Sequence, residues 1–89
     1  MEEIDAWNIE VYDKVTFNRF LKLLMADFVR NGDNEQKWEN NRLDLYLEAM
    51  TRYSQEIEGY YRNVEPSQDA QNPSLKLFAD IMRGATVYE

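Results

Sequence analysis

Apolar residues recur at helical spacing in three stretches of the chain, and polar segments separate these stretches. In the first stretch the apolar positions follow i, i+3, i+4, i+7 and i+11, and they are Phe17, Phe20, Leu21, Leu24 and Phe28. This spacing places them on one face of an amphipathic helix, which we predict over about residues 14–30. Asp13 is a plausible N-cap. Asn31-Gly32 is a strong stop signal, because both residues tolerate a left-handed backbone.

The second stretch predicts a helix over about residues 41–62, with Asn40 or Asn41 as its N-cap. Its expected apolar face contains Leu43, Tyr46, Leu47, Met50, Ile57 and Tyr61. A flank beside this face carries Tyr53 and Tyr60 and is unusually apolar for a surface that faces solvent. A helix at the centre of a bundle needs such a wide apolar face, because it contacts two neighbours.

The third stretch begins at Asn72-Pro73, which matches an N-cap followed by proline at the first helical position. It predicts a helix over about residues 73–85. The tail, residues 86–88, is β-branched and aromatic, so it either packs back on the core or pairs as a short strand. At the other end of the chain we predict a short helical segment near residues 2–8.

No two segments show the strict apolar–polar alternation of a half-buried sheet. A length of 89 residues suits one domain with a single modest core. We therefore predict an all-α fold with one helical domain over residues 1–89. It is expected to be a compact bundle of three main helices, with the short N-terminal helical segment and polar connections.

The composition argues against catalysis, because the chain contains no histidine and no cysteine. It therefore lacks the side chain that titrates near neutrality, the thiolate nucleophile and the usual zinc ligands. We predict a protein that is not an enzyme, with no catalytic residues, no metal and no cofactor. The acidic N-terminus does not resemble a signal peptide, and the longest apolar run is only Leu23 to Ala26. A soluble cytoplasmic protein is expected.

The formal net charge is −7, from 17 acidic and 10 basic residues. Phosphate groups of nucleic acids and of anionic membranes would be repelled by this charge, so we predict neither as a partner. A basic surface on another protein would be attracted and steered toward the chain. The acidity is also explained by solubility alone.

Two acidic clusters are candidate cation sites. Asp44 and Glu48 lie one helical turn apart, but Asp44 suits the positive end of a helix and Glu48 suits an i,i+4 ion pair with Arg52. The loop that begins at Asp33 lacks the spacing, the glycine and the terminal glutamate of a calcium-binding loop. Neither cluster predicts a metal site.

Short motifs between and within the helices extend over about residues 17–89. They are Trp38-Glu39-Asn40, Leu47-Glu48-Ala49, Leu77-Phe78-Ala79 and the terminal Tyr88-Glu89. This arrangement resembles a family of small acidic bacterial domains of unknown function. The resemblance implies a small helical fold, and by analogy with other small domains it suggests an inhibitor or immunity role.

The candidate partner-binding residues are aromatic and acidic, and they are Trp38, Tyr53, Glu56, Glu58 and Tyr60. Trp38 either covers one end of a helix pair or is an exposed anchor for a partner. Tyr53 and Tyr60 either belong to the core or form a binding surface beside Glu56, with Glu58 in support. Tyrosine suits interfaces, because it combines a large ring with a polar tip and few rotamers.

The leading hypothesis is a non-enzymatic inhibitor or immunity-type protein of bacterial or phage origin that occludes a basic site on another protein. An alternative is a phage-type inhibitor whose carboxylates mimic DNA phosphates, although Arg42, Arg52 and Arg62 would dilute any acidic stripe on the second helix. A carboxylate-based small-ligand-binding protein is a weaker alternative. A homodimer is also possible, because the apolar face of the second helix is wide.

Overall fold

The computed structural model describes residues 3–88 and contains three helices over that range. They are α1 (Lys14–Asn31), α2 (Leu43–Val64) and α3 (Leu75–Ala85), and no strand occurs among the described residues. The predicted all-α bundle is confirmed, and the tail does not pair as a strand. Within the same range, no helix combines the length and apolarity that crossing a membrane requires.

The third helix, not the second, occupies the centre of the bundle. It packs against both α1 and α2, whereas no Cα atom of α1 lies within 8 Å of a Cα atom of α2. The expectation that α2 is central is therefore wrong. The physical reason lies in α3, which presents apolar side chains on two sides: Leu75 and Met82 pack toward α1, and Leu77 and Ile81 pack toward α2.

Two clusters of buried residues form the core. The larger joins the N-terminal segment, α1, the connection before α2 and α3, and its buried members are Ala6, Ile9, Val11, Phe20, Leu24, Trp38 and Ala79. The smaller lies between α2 and α3 and consists of Ile57, Tyr61 and Leu77. Burial of these apolar side chains is the main favourable contribution to folding.

The starts of the first two helices differ in their capping. The prediction for α1 is confirmed: the Asp13 carboxylate accepts from the Thr16 amide at 2.8 Å, and the two residues form a capping box. The prediction for α2 is wrong, because Arg42 occupies the N-cap position without a side-chain hydrogen bond. Asn40 instead donates to the carbonyl oxygens of Ala85 and Tyr88, at 2.8 Å each, and so holds the tail against the bundle.

The third helix begins two residues later than predicted. Ser74 is its N-cap, and the Ser74 hydroxyl accepts from the Leu77 amide at 3.0 Å. The amide of Asn72 donates to Asp69 instead, within the preceding loop. A side-chain hydrogen bond inside a turn competes with helix capping, and Asn72 forms the hydrogen bond within the loop instead of a cap.

Gly32 ends α1 as predicted, but its backbone is right-handed, with φ at −62°. Glycine is needed at this position because Phe28 leaves no room for a side chain. A Cβ atom at this position would lie 2.6 Å from the carbonyl oxygen of Phe28. The left-handed cap expected from Asn31-Gly32 is therefore wrong.

A single turn at residues 6–8 replaces the short helix expected near residues 2–8, whose first residue lies outside the described range. The Asp5 carboxylate accepts from the backbone amides of Trp7 and Asn8, at 2.9 and 3.0 Å. Such side-chain bonds to nearby amides stabilise a turn at the expense of a helix.

Arg83 attaches this N-terminal segment to α3. Its guanidinium donates to the carbonyl oxygens of Ala6 and Ile9, at 2.7 and 2.5 Å, and to the carboxylate of Asp80 at 2.9 Å. It also lies 5.0 Å from the centre of the Phe20 ring. One side chain therefore links the N-terminal segment, α1 and α3.

Asp80 extends the network to α2. Its second carboxylate oxygen accepts from the Tyr61 hydroxyl at 2.7 Å and from the Lys76 ammonium at 2.8 Å. Lys76 also pairs with Glu65, just beyond the end of α2, at 2.7 Å. Because a partly buried carboxylate needs several donors, each of these contacts supports the others.

Replacing Arg83 with methionine should lower the free energy of unfolding by about 2–4 kcal/mol, because Asp80 and two carbonyl groups lose a charged donor. Urea unfolding measures this change. Arg42→Met is the matched control, since the Arg42–Asp44 pair is exposed, and it should have little effect. Equal effects of the two substitutions would show that Arg83 is not an attachment point.

Alkaline pH should destabilise the fold through its buried tyrosines. Burial raises the pKa of Tyr46 from 10.0 to about 12, and burial, followed by the hydrogen bond to Asp80, raises the pKa of Tyr61. Below pH 10 both hydroxyls are neutral in either state. Above it the unfolded chain ionises first, so stability falls as pH rises toward 12, by about 1.4 kcal/mol per pH unit for each tyrosine.

Urea unfolding at a series of pH values measures this decline. Tyr46→Phe should make it shallower, and a slope equal to that of the wild type would contradict the assignment.

Candidate functional site

A cleft of about 760 Å³ lies between α1 and α2, over the C-terminal half of α3. It exists because α3 alone joins the other two helices and keeps them apart. Tyr53 and Tyr60 of α2 line one side, the stretch from Leu23 to Arg30 of α1 contributes to the other, and the N-terminal segment also borders it. We call it the tyrosine cleft.

Tyr53 lies half-buried at the base of the cleft wall. Its ring centre is 5.1 Å from that of Tyr88, and its ring occupies the space that a side chain at position 84 would need. Burial, with smaller contributions from Tyr60, Asp80 and Tyr88, raises the pKa of the Tyr53 hydroxyl. The hydroxyl is therefore a neutral donor at physiological pH.

Tyr60 is the more accessible of the two tyrosines, with 46% of its surface exposed. Its ring packs beside that of Tyr61, at 5.9 Å between centres. Glu56 is exposed and lies three residues after Tyr53 and four before Tyr60, so helical spacing places all three on one face. No salt bridge involves Glu56 within residues 3–88. Of the five predicted site residues, Tyr53 and Tyr60 line the cleft, and Glu56 lies outside its lining on the same helical face.

Trp38 lies elsewhere and is only 4% exposed. Its ring packs against Phe28 and Tyr46, at 5.0 and 5.7 Å between centres, and its indole N–H donates to Asp27 at 2.7 Å. These contacts make Trp38 part of the core. With 4% of its surface exposed, Trp38 is not an exposed anchor, and that expectation is corrected.

Glu58 also lies apart from the tyrosine cleft. It is two residues from Tyr60, which on a helix places it on a different face. Its carboxylate is 3.6 Å from Arg62 and accepts from the side-chain amide of Gln71 at 3.2 Å. Glu58 therefore braces α2 against the following loop instead of supporting Tyr53 and Tyr60.

The predicted ion pair between Glu48 and Arg52 does not form. The Arg52 guanidinium instead lies 5.8 Å from the centre of the Tyr88 ring. No salt bridge involves Glu48 within residues 3–88. Arg52 therefore contacts Tyr88 in the tail instead of pairing with Glu48.

Four carboxylates line the tyrosine cleft, and they are Glu3, Asp5, Asp27 and Asp80. The last three accept hydrogen bonds within the fold. Asp80 accepts from Tyr61, Lys76 and Arg83, as described above, and Asp27 accepts from Trp38 and from Asn31. Their lone pairs stabilise the fold, which leaves them poorly suited to acid–base work on a substrate. Among the described residues, no group of three histidine, cysteine or acidic side chains is placed to hold a metal ion.

Sequence reasoning missed the other apolar residues around the cleft. Trp7 and Ile4 reach it from the N-terminal segment, Val87 reaches it from the tail, and all three are exposed. The helical pattern contains no signal for them, because it does not show where the two ends of the chain cross the bundle. Arg83 places the N-terminal segment, and Asn40 places the tail.

Comparison with known proteins gives one match. A protein-family model described as a family of unknown function (DUF7660) matches residues 13–89. No curated protein and no solved structure matches the chain. The predicted resemblance to a domain family of unknown function is confirmed. The bacterial origin of that family and the motif pattern quoted for it stay predictions.

The packing at the base of the cleft predicts opposite effects for two glycine substitutions. Gly84→Ala should lower the free energy of unfolding by about 1–3 kcal/mol, because the new methyl group would overlap the Tyr53 ring. Gly59→Ala, in the same kind of helical backbone but with no neighbouring atom within 4 Å, should raise it by about 0.5–1 kcal/mol. Thermal or urea unfolding measures both, and stabilisation by Gly84→Ala would contradict the described packing.

Proposed function

The chain belongs to DUF7660, a family of unknown function, and we propose that it is a non-enzymatic protein-binding module of the inhibitor or immunity type. The tyrosine cleft holds a basic segment of another protein and so occludes a functional site on that partner. The proposal includes a cytoplasmic setting in a bacterium or phage-infected cell, which the absence of cysteine supports.

The exposed ring of Tyr60 at the mouth of the cleft is the observation that carries this proposal. Tyr60 keeps 46% of its surface exposed, one helical turn after the exposed Glu56, while Trp7 borders the same cleft. Tyrosine and tryptophan lose little rotamer entropy on binding and contribute strongly to interfaces. Aromatic rings with a nearby carboxylate suit an arginine or lysine side chain.

The long-range charge favours the same kind of partner. A net charge of −7 accelerates encounter with a basic surface and repels other acidic ones. Two cation–π contacts within the chain show the geometry that such a partner would use: Arg52 lies over the ring of Tyr88, and Arg83 lies over the ring of Phe20. An incoming arginine can make the same contact with Tyr60.

A small-ligand-binding role is the second candidate, and the volume of the cleft favours it. About 760 Å³ lies within the usual range for small-molecule sites. Asp27, Asp80 and Arg83 are engaged within the fold. Such a ligand would therefore be oriented by other polar side chains of the lining, such as Glu3, Arg30 and Lys37. The protein-binding proposal needs only the exposed rings and the surface charge.

Substitution of Tyr60 by alanine should weaken binding to the partner by about tenfold to a hundredfold, because an interfacial aromatic anchor contributes about 1.4–2.8 kcal/mol. Tyr12→Ala is the matched control, since Tyr12 is 71% exposed and lies outside the tyrosine cleft. The tagged wild type and both variants would be used to capture proteins from the source organism, and the affinity of each recovered protein would then be measured.

A partner kept by the wild type and by Tyr12→Ala but lost by Tyr60→Ala supports the proposal, and Glu56→Lys should weaken the same complex. Equal retention of the partner by the wild type and by every variant would contradict the proposal. The salt dependence of the affinity distinguishes this proposal from DNA mimicry. An aromatic-anchored complex should lose little affinity between low and physiological ionic strength, whereas a complex held by carboxylates that mimic phosphates should lose much.

A further inference from the structure

The tyrosine cleft carries two cations at one end, although the chain as a whole is acidic. Arg30 from the last turn of α1 and Lys37 from the connection before α2 both line the cleft. Trp38, which follows Lys37, donates its indole N–H to Asp27, one helical turn before Arg30. This hydrogen bond holds the connection against the last turns of α1, so both cations lie at this end of the cleft. We call Arg30 and Lys37 the basic pair.

The lining carboxylate closest in sequence to the basic pair does not neutralise it. One oxygen of Asp27 accepts from the Trp38 indole at 2.7 Å, and the other accepts from the Asn31 amide at 3.1 Å. In the part of the chain that the structure describes, neither member of the basic pair forms a salt bridge. This end of the cleft therefore presents positive charge to a ligand, in a protein whose net charge is −7.

The charges of the lining favour a carboxylate ligand over a phosphate. Four charged groups of the lining form hydrogen bonds within the fold, and they are Asp5, Asp27, Asp80 and Arg83. The other charged groups of the lining are Glu3 and the basic pair, which leaves one positive charge in excess. One carboxylate balances that charge, whereas a phosphate dianion would exceed it. The guanidinium of Arg30 can also hold both oxygens of a carboxylate through two parallel N–H groups.

The connection before α2 and the tail meet at the same end of the cleft. The backbone amide of Asn40 donates to the carbonyl oxygen of Thr86 at 2.9 Å, and Thr86 lines the cleft. At the opposite end, Tyr60 lies about 10 Å along α2 from Tyr53, whose ring packs against Tyr88 in the tail. A peptide that enters beside Tyr60 therefore meets the backbone of the tail and of the connection at the basic pair. A chain that ends there fits the cleft better than one that continues.

We propose that the basic pair binds the C-terminal carboxylate of the partner segment. The inference rests on the proposed function and makes it more specific, because the basic segment held by the tyrosine cleft is then the C-terminus of its chain. The terminal carboxylate accepts from Arg30 and Lys37, while Tyr60 contacts an arginine or lysine side chain that precedes it. Capture of a chain terminus is a recurrent mode of peptide recognition.

Two peptide pools test the proposal with the purified chain. Both contain acetylated pentapeptides with arginine at the second and third positions and mixed residues elsewhere. One pool ends in a free carboxylate, and the other ends in a carboxamide. In NMR titrations up to about 5 mM peptide, the free-acid pool should bind about fivefold to twentyfold more tightly, because the carboxamide cannot form charge-assisted hydrogen bonds as an acceptor of negative charge.

Substitutions in the protein assign this preference to the basic pair. Arg30→Gln and Lys37→Gln should each reduce the preference for the free acid, and the double variant should bind the two pools equally. Lys22→Gln is the matched control, since Lys22 is an exposed lysine of α1 that does not line the cleft. It removes one positive charge and should leave the preference unchanged. Circular dichroism and urea unfolding check that every variant is folded.

A third pool separates a chain terminus from an acidic side chain. It ends in a glutamate carboxamide, and it should bind like the carboxamide pool. Binding as tight as that of the free-acid pool would overturn the assignment to a chain terminus. A preference for the free acid that survives the double variant would also overturn it, and so would the absence of binding by either of the first two pools.

The Tyr60→Ala variant distinguishes failure of this inference from failure of the proposed function. It should weaken binding of the free-acid and the carboxamide pools by the same factor. If the wild type binds the two pools equally and Tyr60→Ala weakens both, the inference is overturned and the proposed function stands. If the free acid is preferred but Tyr60→Ala has no effect, the basic pair is supported and the proposed role of Tyr60 is contradicted.

Discussion

The contact between Asp80 and Arg83 connects the N-terminal segment and α2 to the central helix α3. Asp80 accepts from Tyr61 of α2 and from Lys76, while Arg83 donates to Asp80 and to the carbonyl groups of Ala6 and Ile9. A domain of this size buries only about 60–65% of its unfolded surface. A network of partly buried charges on the central helix therefore determines where the N-terminal segment is placed.

The central position of α3 explains two concave surfaces. Because α1 and α2 contact α3 but not each other closely, space is left on the two flanks of α1. One flank, with Leu23 and Arg30, faces the tyrosine cleft, and the other, with Met25 and Phe28, faces an apolar groove of about 350 Å³. An 11-residue helix is too short to cover either space by itself.

Periodicity predicted the three helices to within about two residues at each end, because the 3.6-residue repeat is a local property. It did not predict which apolar residues find a partner: Leu43 lies on the same helical face as Ile57 and Tyr61, yet only the latter two reach α3. The caps at Asn40 and Asn72 failed for a similar reason, since their amides bond to groups elsewhere in the fold or loop. Tyr53 and Tyr60 line the same cleft because they lie seven residues, or two turns, apart on one helix.

In the N-terminal segment, the groups that attach it to the bundle differ from the side chain that borders the tyrosine cleft. Residues 13–89 match the family, and Arg83 lies inside that range, whereas Ala6 and Ile9 lie before it. Backbone carbonyl groups are present at every residue, so a guanidinium that binds them does not depend on the side chains of the segment. The side chains of Ala6 and Ile9 are buried in the core, whereas Trp7 between them is exposed and borders the cleft. A substitution at position 7 would thus change the lining of the cleft and leave the carbonyl contacts and the buried side chains of the segment in place.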